Sequence, residues 1–342
     1  MRKKGFTRAS TLGPIADVIN AAGGSAKRVF GRADLPMALQ QTPEAFVPLK
    51  DHYSLLLFAA RELSDELFGA RLGQSITIDG LGTYGKWVTQ APTLLEGIRR
   101  ANRSLSHMLQ SATDLLLRIE GTHAIWSYQS HDVAIEGRQQ NEMLALCYMI
   151  EIVRQYLGPG WQPEFILLSG APVQSKNSLE QLLCAEVLQR DKASALMFDR
   201  RLLAARWPKP AAIPLTLEAL GRAIDVPNPD DLHDTVTALI ELELIERIPS
   251  ISWVAGKLGM TQRTLQRHLA NQGLQFSNLV QTVLQHRAFD LLQQGNLSIT
   301  EIAANLGYSD AAHFTRAFKN WTGYSPTAWR ENETVSGKNS NL

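Results

Sequence analysis

Residues 251–269 read ISWVAGKLGMTQRTLQRHL, and residues 299–318 read ITEIAANLGYSDAAHFTRAF. This is one pattern written twice. Placing Ile251 on Ile299 pairs Val254 with Ile302, Ala255 with Ala303, Leu258 with Leu306 and Gly259 with Gly307, all at an offset of 48. Past the turn the offset is 49, and Leu265 pairs with Phe314, Arg267 with Arg316 and Leu269 with Phe318. The second turn is therefore one residue longer, while the helix after it keeps its register. Self-similarity of this kind inside one chain points to a repeated structural unit.

The unit has helix-turn-helix spacing. Val254, Ala255 and Leu258 share one face of a first helix, with Ala255 small where a second helix crosses. Gly259 and Gly307 end that helix with a residue that tolerates the left-handed conformation. Thr261 and Ser309 place hydroxyls at the start of the next helix, with Asp310 as the alternative cap. Leu265 with Leu269, and Phe314 with Phe318, are anchors one turn apart. The remaining faces are polar: Gln262, Arg263, Gln266 and Arg267 in the first copy; His313, Thr315, Arg316 and Lys319 in the second.

Arg and Gln suit base edges, because each makes paired hydrogen bonds in the major groove. Arg267 and Arg316 serve equally well as phosphate contacts. For any one of these residues a solvated helix face is the alternative. Two copies with matched anchors favour recognition helices at about residues 262–271 and 310–320. The second helix opens on Ala311 and Ala312, so Ala312 offers a methyl contact to thymine and base reading there is weaker. Between the copies runs FSNLVQTVLQHRAFDLLQQG, residues 276–295. As a helix it spans about 30 Å, close to the ~34 Å between successive major grooves on one face of the duplex. Gly256 costs its short helix about 1 kcal/mol relative to Ala, and close packing at that point would explain its presence.

Charge is distributed accordingly. The 342-residue chain carries a formal net charge of only +1. Residues 247–330, however, hold eight Lys and Arg against three acids, whereas residues 230–246 hold six acids and no Lys or Arg. Basic charge is confined to the repeat, as a phosphate-facing surface requires.

At 44% hydrophobic and 20% charged residues, the composition is that of a soluble globular protein. MLALCYMI, residues 143–150, is the longest near-apolar run and is too short to span a membrane. The basic start, MRKKGFTRAS, has no apolar run behind it and is no secretory signal. These features place the protein in the cytoplasm. Cys147 and Cys184 read as two buried thiols in a reducing compartment, too few for a four-cysteine metal site.

Nothing nominates an enzyme, a metal or a cofactor. The chain has no G-x-S-x-G and no H-x-x-x-H. Gly80, Gly82 and Gly85 match G-x-G-x-x-G, but Trp87 follows Lys86 where a phosphate loop needs Ser or Thr. That stretch reads as a glycine-rich turn between strands.

The first two thirds read as an α+β domain without regular βαβ alternation. A helix pair over residues 11–35 breaks at Gly23-Gly24. A helix over residues 52–73 carries Leu55, Leu56, Ala59, Ala60 and Leu63 and is ended by Gly69 and Gly73. A helix over 93–108 follows Pro92. Two or three strands occupy 114–136, with a turn at Gly121. Then come a long helix over 140–157, a buried strand in PEFILLSGAP, a short helix over 179–188 and a strand in SALMFDRRLL. The aromatic residues Trp87, Trp126, Tyr128 and Trp161 serve either core packing or a small-molecule pocket.

Pro208, Pro210, Pro214, Pro227 and Pro229 mark a linker over 207–229, within which LTLEALGRAI has room for a short helix. The expected organisation is an effector-sensing or dimerisation domain over 1–206, this linker, an all-α domain over 230–333 and a disordered tail over 334–342. The all-α domain consists of two helix-turn-helix motifs joined by a long helix.

Residues 230–333 closely resemble the DNA-binding domain of the AraC/XylS family of bacterial transcription regulators. SISWVAGKLGMTQRTLQRHLANQG, VLQHRAFDLL and above all ITEIAANLGYSDAAHFTRAFKNWTGYSPTAWR, with Gly323, Pro326 and Arg330, carry the resemblance. Residues 2–210 are similar to the arabinose-binding-like effector domain of one branch of that family, through FGARLG, GLGTYG with APTLLEGIRRANR, and LGPGWQPEFILLSGAP. The resemblance implies a ligand-responsive regulator that binds double-stranded promoter or operator DNA, contacts RNA polymerase and forms a homodimer through its N-terminal domain. Two other readings compete: an N-terminal domain that only dimerises, and a DNA-modifying enzyme that borrows the module, for which two isolated cysteines are poor equipment.

Overall fold

The computed structural model describes residues 5–131, 136–190, 192–208 and 225–331. The chain forms two compact units, Met1–Asp231 and Leu232–Leu342. Most of the proline-rich segment, the short helix allowed within it and the tail over 334–342 lie outside the described residues.

In the first unit, strands β1 (Phe6–Arg8) and β2 (Phe46–Pro48) pair antiparallel. Between them lie α1 (Ile15–Ala21) and α2 (Ala26–Arg32), and after them α3 (Leu49–Glu62), α4 (Phe68–Leu72), α5 (Gly82–Thr89) and α6 (Leu94–Met108). A five-stranded sheet follows, built from β3 (Thr113–Glu120), β4 (His123–Ser130), β5 (Phe165–Ser169), β6 (Glu186–Arg190) and β7 (Ser194–Asp199). Its order is β3-β4-β7-β5-β6, antiparallel throughout except for the parallel β5–β6 pair. That pair is joined by α8 (Lys176–Leu183), a single βαβ unit in an otherwise antiparallel α+β fold.

Helix α7 (Arg138–Leu157) packs on this sheet. It is apolar nearly all round, with Met143, Leu146, Tyr148, Met149, Ile152 and Val153 all buried, as befits a central helix. Its first turns carry a buried charge. The Glu142 carboxylate is fully buried, accepts from the Ser169 and Ser194 hydroxyls at 2.5 and 2.6 Å, and pairs with Arg138. Arg138 also donates to the Ser169 hydroxyl at 2.8 Å. The network ties α7 to β5 and β7 and leaves the buried charge paired, without which it would be strongly destabilising.

Five local expectations are corrected. The helix over 52–73 is two helices, broken at Ser64, whose φ is 51°. Gly69 lies inside α4 rather than ending a helix, Gly73 does cap its end, and both let α4 approach α7. A Cβ on Gly69 would lie 2.0 Å from the Gln140 carbonyl oxygen, and one on Gly73 would lie 2.2 Å from Cys147 Sγ. The stretch 75–90 contains no strand. Helix α5 opens at Gly82 because Leu81, Tyr84 and Val88 recur at helical spacing and are buried, and Gly85 sits inside it, against the Ile78 carbonyl. The helix placed at 179–188 spans Lys176–Leu183 instead. It stops where Cys184 turns left-handed (φ 53°), and 186–190 becomes β6. Cys184 is accordingly exposed, and only Cys147 is buried.

Among the described residues the second unit is all helical: α9 (Leu232–Glu243), α10 (Ile251–Lys257), α11 (Gln262–Asn271), α12 (Phe276–Gln294), α13 (Ile299–Asn305) and α14 (Ala311–Thr322), with a last helical segment over 326–331. Among the described residues, no helix is long and apolar enough to cross a membrane.

One buried group makes the first unit acid-sensitive. His52 on α3 is fully buried, and neither ring nitrogen has a partner in hydrogen-bonding geometry. Burial pushes its pKa down from 6.5 to about 4, with nearby Asn141 pulling weakly the other way. Between those values the unfolded chain binds a proton that the folded chain does not. Stability is therefore full above about pH 6.5 and falls as the pH drops toward 4, by up to about 3 kcal/mol. Urea midpoints of the full chain from pH 7 to 4 should show this loss, and His52→Phe should flatten it. An equal slope in both proteins would remove His52 as the cause.

Candidate nucleic-acid interface

Each helix-turn-helix is set by its caps and anchors. Ser250 caps α10 by accepting from the Trp253 amide at 3.3 Å. Ser298 does the same for α13, accepting from Glu301 N at 3.2 Å, while Glu301 Oε2 accepts from Ser298 N at 2.7 Å. The second copy thus has a complete capping box. In the first copy Trp253 occupies the Glu301 position, and the missing carboxylate comes from another helix. Glu243, at the end of α9, accepts from Ser250 N at 2.8 Å and from the Ser250 hydroxyl at 3.2 Å. The sequence repeat gave no sign of this substitution.

Both turns close alike. Gly259 and Gly307 have φ of 64° and 77°, and the following amides, Met260 N and Tyr308 N, donate back to Ala255 O and Ala303 O. Thr261 then caps α11 by accepting from Thr264 N at 3.2 Å. In the second copy the cap is Asp310, which accepts from His313 N at 2.7 Å. Ser309 instead lies 2.7 Å from His313 Nδ1. Accepting from the His313 amide lowers the pKa of the Asp310 carboxyl, with smaller help from the Ser309 hydroxyl and the His313 ring.

The anchors are fully sequestered: Leu265 and Phe314 are 0% exposed, Leu269 1% and Phe318 0%. Around the second pair Ala288, Leu292, Ile302, Ala303 and Leu306 form a core. Phe289 and Trp329 pack on Phe318 at ring separations of 5.5 and 6.1 Å. Helix α12 packs against α9 and supplies Ala288 and Leu292 to that core.

With the anchors inside, the candidate residues fall outside. Gln262, Arg263, Gln266 and Arg267 are all exposed, and their spacing sets them on one stripe of α11. On α14, Ala312, His313, Arg316 and Lys319 are exposed, while Thr315 is half-buried and less available. Ala311 is half-buried against the second core.

Not every basic residue of the segment faces outward. Arg287 is half-buried, its pKa lowered by burial and pulled back up by Glu241 and Asp290. Arg330 donates to the Leu297 carbonyl at 2.9 Å, and the Lys257 ammonium lies 5.0 Å above the Trp253 ring. Arg263, Arg267, Arg316 and Lys319 make no ion pair among the described residues and are the exposed cations of the two second helices.

Two helix-turn-helix units in one compact domain, each with an anchored second helix bearing exposed Arg, define a double helix-turn-helix DNA-binding protein with a separate α+β domain. Residues 23–207 match the family described as the N-terminal arabinose-binding domain of AraC transcription regulators, and residues 254–332 match a helix-turn-helix domain family. The chain belongs to the AraC family of transcription regulators and is not an enzyme.

Its relatives include the HTH-type transcriptional regulator VirS of Mycobacterium tuberculosis, 25% identical over 338 residues, which cover 97% of this chain and 98% of VirS. The ornithine utilization regulator of Pseudomonas aeruginosa is 24% identical over 339 residues, covering 93% and 94%. Among solved structures, the transcriptional regulator CdpR of Pseudomonas aeruginosa aligns with a TM-score of 0.42 at 22% identity, over 89% of this chain and 97% of CdpR.

Close packing does not explain Gly256. It is exposed, and a Cβ there would meet nothing within 4 Å. Gly256→Ala should raise the unfolding free energy of the C-terminal domain by about 0.5–1 kcal/mol. A lowered melting temperature would show that the glycine is needed for its backbone.

Proposed function

We propose that this regulator reads DNA with α11 and holds it with α14, the two helices entering successive major grooves on one face of the duplex. The observation that carries this reading is the contrast between the two exposed stripes. Gln262, Arg263, Gln266 and Arg267 can make paired hydrogen bonds to base edges. On α14 the corresponding surface opens with the Ala312 methyl and a His313 ring already held by Ser309, leaving Arg316 and Lys319 as charges for phosphate. The 19 residues of α12 give a helix about 28 Å long, compatible with the ~34 Å groove repeat. One chain then covers both half-sites, and the N-terminal domain tunes the outcome by binding a small molecule.

Binding-site selection on the full-length protein tests the division of labour. Arg263→Ala and Gln266→Ala should each relax sequence preference in one half-site, at about 1–3 kcal/mol per lost base contact. An unchanged motif would remove them from the readout.

Lys319→Ala should instead weaken binding to every sequence alike and reduce the slope of log K against log salt by about one. A loss confined to particular sequences would make Lys319 a base reader.

A further inference from the structure

We propose that the N-terminal domain binds an uncharged, mainly apolar small molecule carrying one hydrogen-bonding group, in a cavity between α7 and the β3–β4 end of the sheet, where the Tyr148 hydroxyl receives that group. The inference rests on the effector reading above and specifies its site and ligand class.

The space is bounded by side chains of α5, α6, β3, β4 and α7. Leu105, Leu115, Leu144, Met149 and Ile152 supply much of its apolar wall, and no Asp, Glu, Lys, Arg or His lines it. A charged ligand would lose its hydration there without gaining a counter-ion.

The N–H and O–H donors in the wall are almost all occupied. Tyr84 donates to Ala101 O at 3.3 Å and Trp126 Nε1 to Asn102 Oδ1 at 2.9 Å. Gln110 Nε2 donates to Thr113 Oγ1 at 2.8 Å and to the Tyr128 hydroxyl at 2.5 Å, and Asn141 Nδ2 donates to the same hydroxyl at 2.8 Å. Thr11 donates to Arg8 O at 2.7 Å. Tyr148 differs: its ring is buried and its hydroxyl has no partner. That hydroxyl sits close against two glycines. A Cβ on Gly80 would stand 3.3 Å from the oxygen and one on Gly13 3.7 Å. Burial raises the pKa of this phenol, so it stays a neutral O–H.

A buried hydroxyl left unbonded is destabilising unless something satisfies it, and an apolar cavity of this kind accepts apolar guests. One free hydroxyl matches an alcohol, a ketone or a phenol. A pentose does not fit, because several of its hydroxyls would be buried without partners. Of the four aromatic residues the sequence offers as pocket residues, Trp126 and Tyr128 line the cavity. Trp87 instead lies under the Arg100 guanidinium at 4.0 Å, and Trp161 packs edge-on against Phe198 at 5.7 Å.

Titration calorimetry and melting temperatures of the full-length protein with 1-octanol, 4-ethylphenol, L-arabinose and L-ornithine test this. The first two should bind saturably and raise the melting temperature, and the last two should do neither. Tyr148→Phe should melt no lower than wild type, since it removes an unbonded group, yet bind 1-octanol about tenfold more weakly. Ala145→Phe, which fills the cavity, should abolish binding.

Octanol binding that is unchanged in both variants would place it elsewhere and overturn the site. Binding of arabinose or ornithine in place of the apolar probes would overturn the ligand class while the effector reading stands. Failure of every probe and of a broad metabolite panel would overturn both.

Discussion

Each second helix of the DNA-binding domain is held by two side chains one turn apart, and this constraint orients the rest of the domain. Leu265 with Leu269 and Phe314 with Phe318 turn one stripe of α11 and of α14 inward. Full burial of such a side chain is worth roughly 1.5–3 kcal/mol, so rotating either helix to hide its polar stripe would forfeit several kcal/mol. The exposed Arg and Gln residues are displayed because the anchors leave them nowhere else to go. Caps then fix where each helix begins, and the short first helices brace the second through Ala255 and Ala303, both 1% exposed.

The two copies meet this constraint differently. The second is self-contained: Ser298 and Glu301 close their own capping box, and the larger Phe anchors are enclosed by Phe289, Trp321 and Trp329. The first borrows its carboxylate from Glu243 on α9. The acidic segment ahead of the repeat is therefore more than a counterweight to basic charge, because one of its acids is the cap ligand of the first reading unit. The offset of the repeat was legible because matched apolar residues and glycines force it. The borrowed cap was not, because it depends on where a preceding helix ends in space.

The same distinction explains what was readable in the N-terminal domain. Strands β3 and β4, helix α7 and the α1–α2 break follow from alternation, helical spacing and glycine, which are local signals. The stretch 80–85 misled because its glycines resemble a turn, whereas Gly85 is needed where α5 crosses the Ile78 carbonyl. Gly69 and Gly73 likewise answer to α7, a partner remote in sequence. Strands β1 and β2 are three residues each, too short for any period. The buried Glu142 network and the unbonded Tyr148 hydroxyl were invisible for the same reason: only the packed fold distinguishes a satisfied polar group from an orphan.

The caps of α11 and α14 bear on the asymmetry of the two stripes. Thr261, which caps α11, is uncharged, so the N-terminal end that carries Gln262 and Arg263 presents no repulsion to a phosphate backbone. Asp310, which caps α14, carries an exposed carboxylate, and its pKa is lowered by the bond from the His313 amide, so it stays ionised at neutral pH. Both of its oxygens are engaged, one by His313 N and the other by Ser309 Oγ at 3.2 Å, so it is poorly placed to accept from a base. A negative charge at that end disfavours phosphate there. It leaves Arg316 and Lys319, six and nine residues further along, as the exposed cations of α14. The caps alone, without the Ala312 methyl, thus support the division proposed above, with base reading on α11 and anchoring on α14.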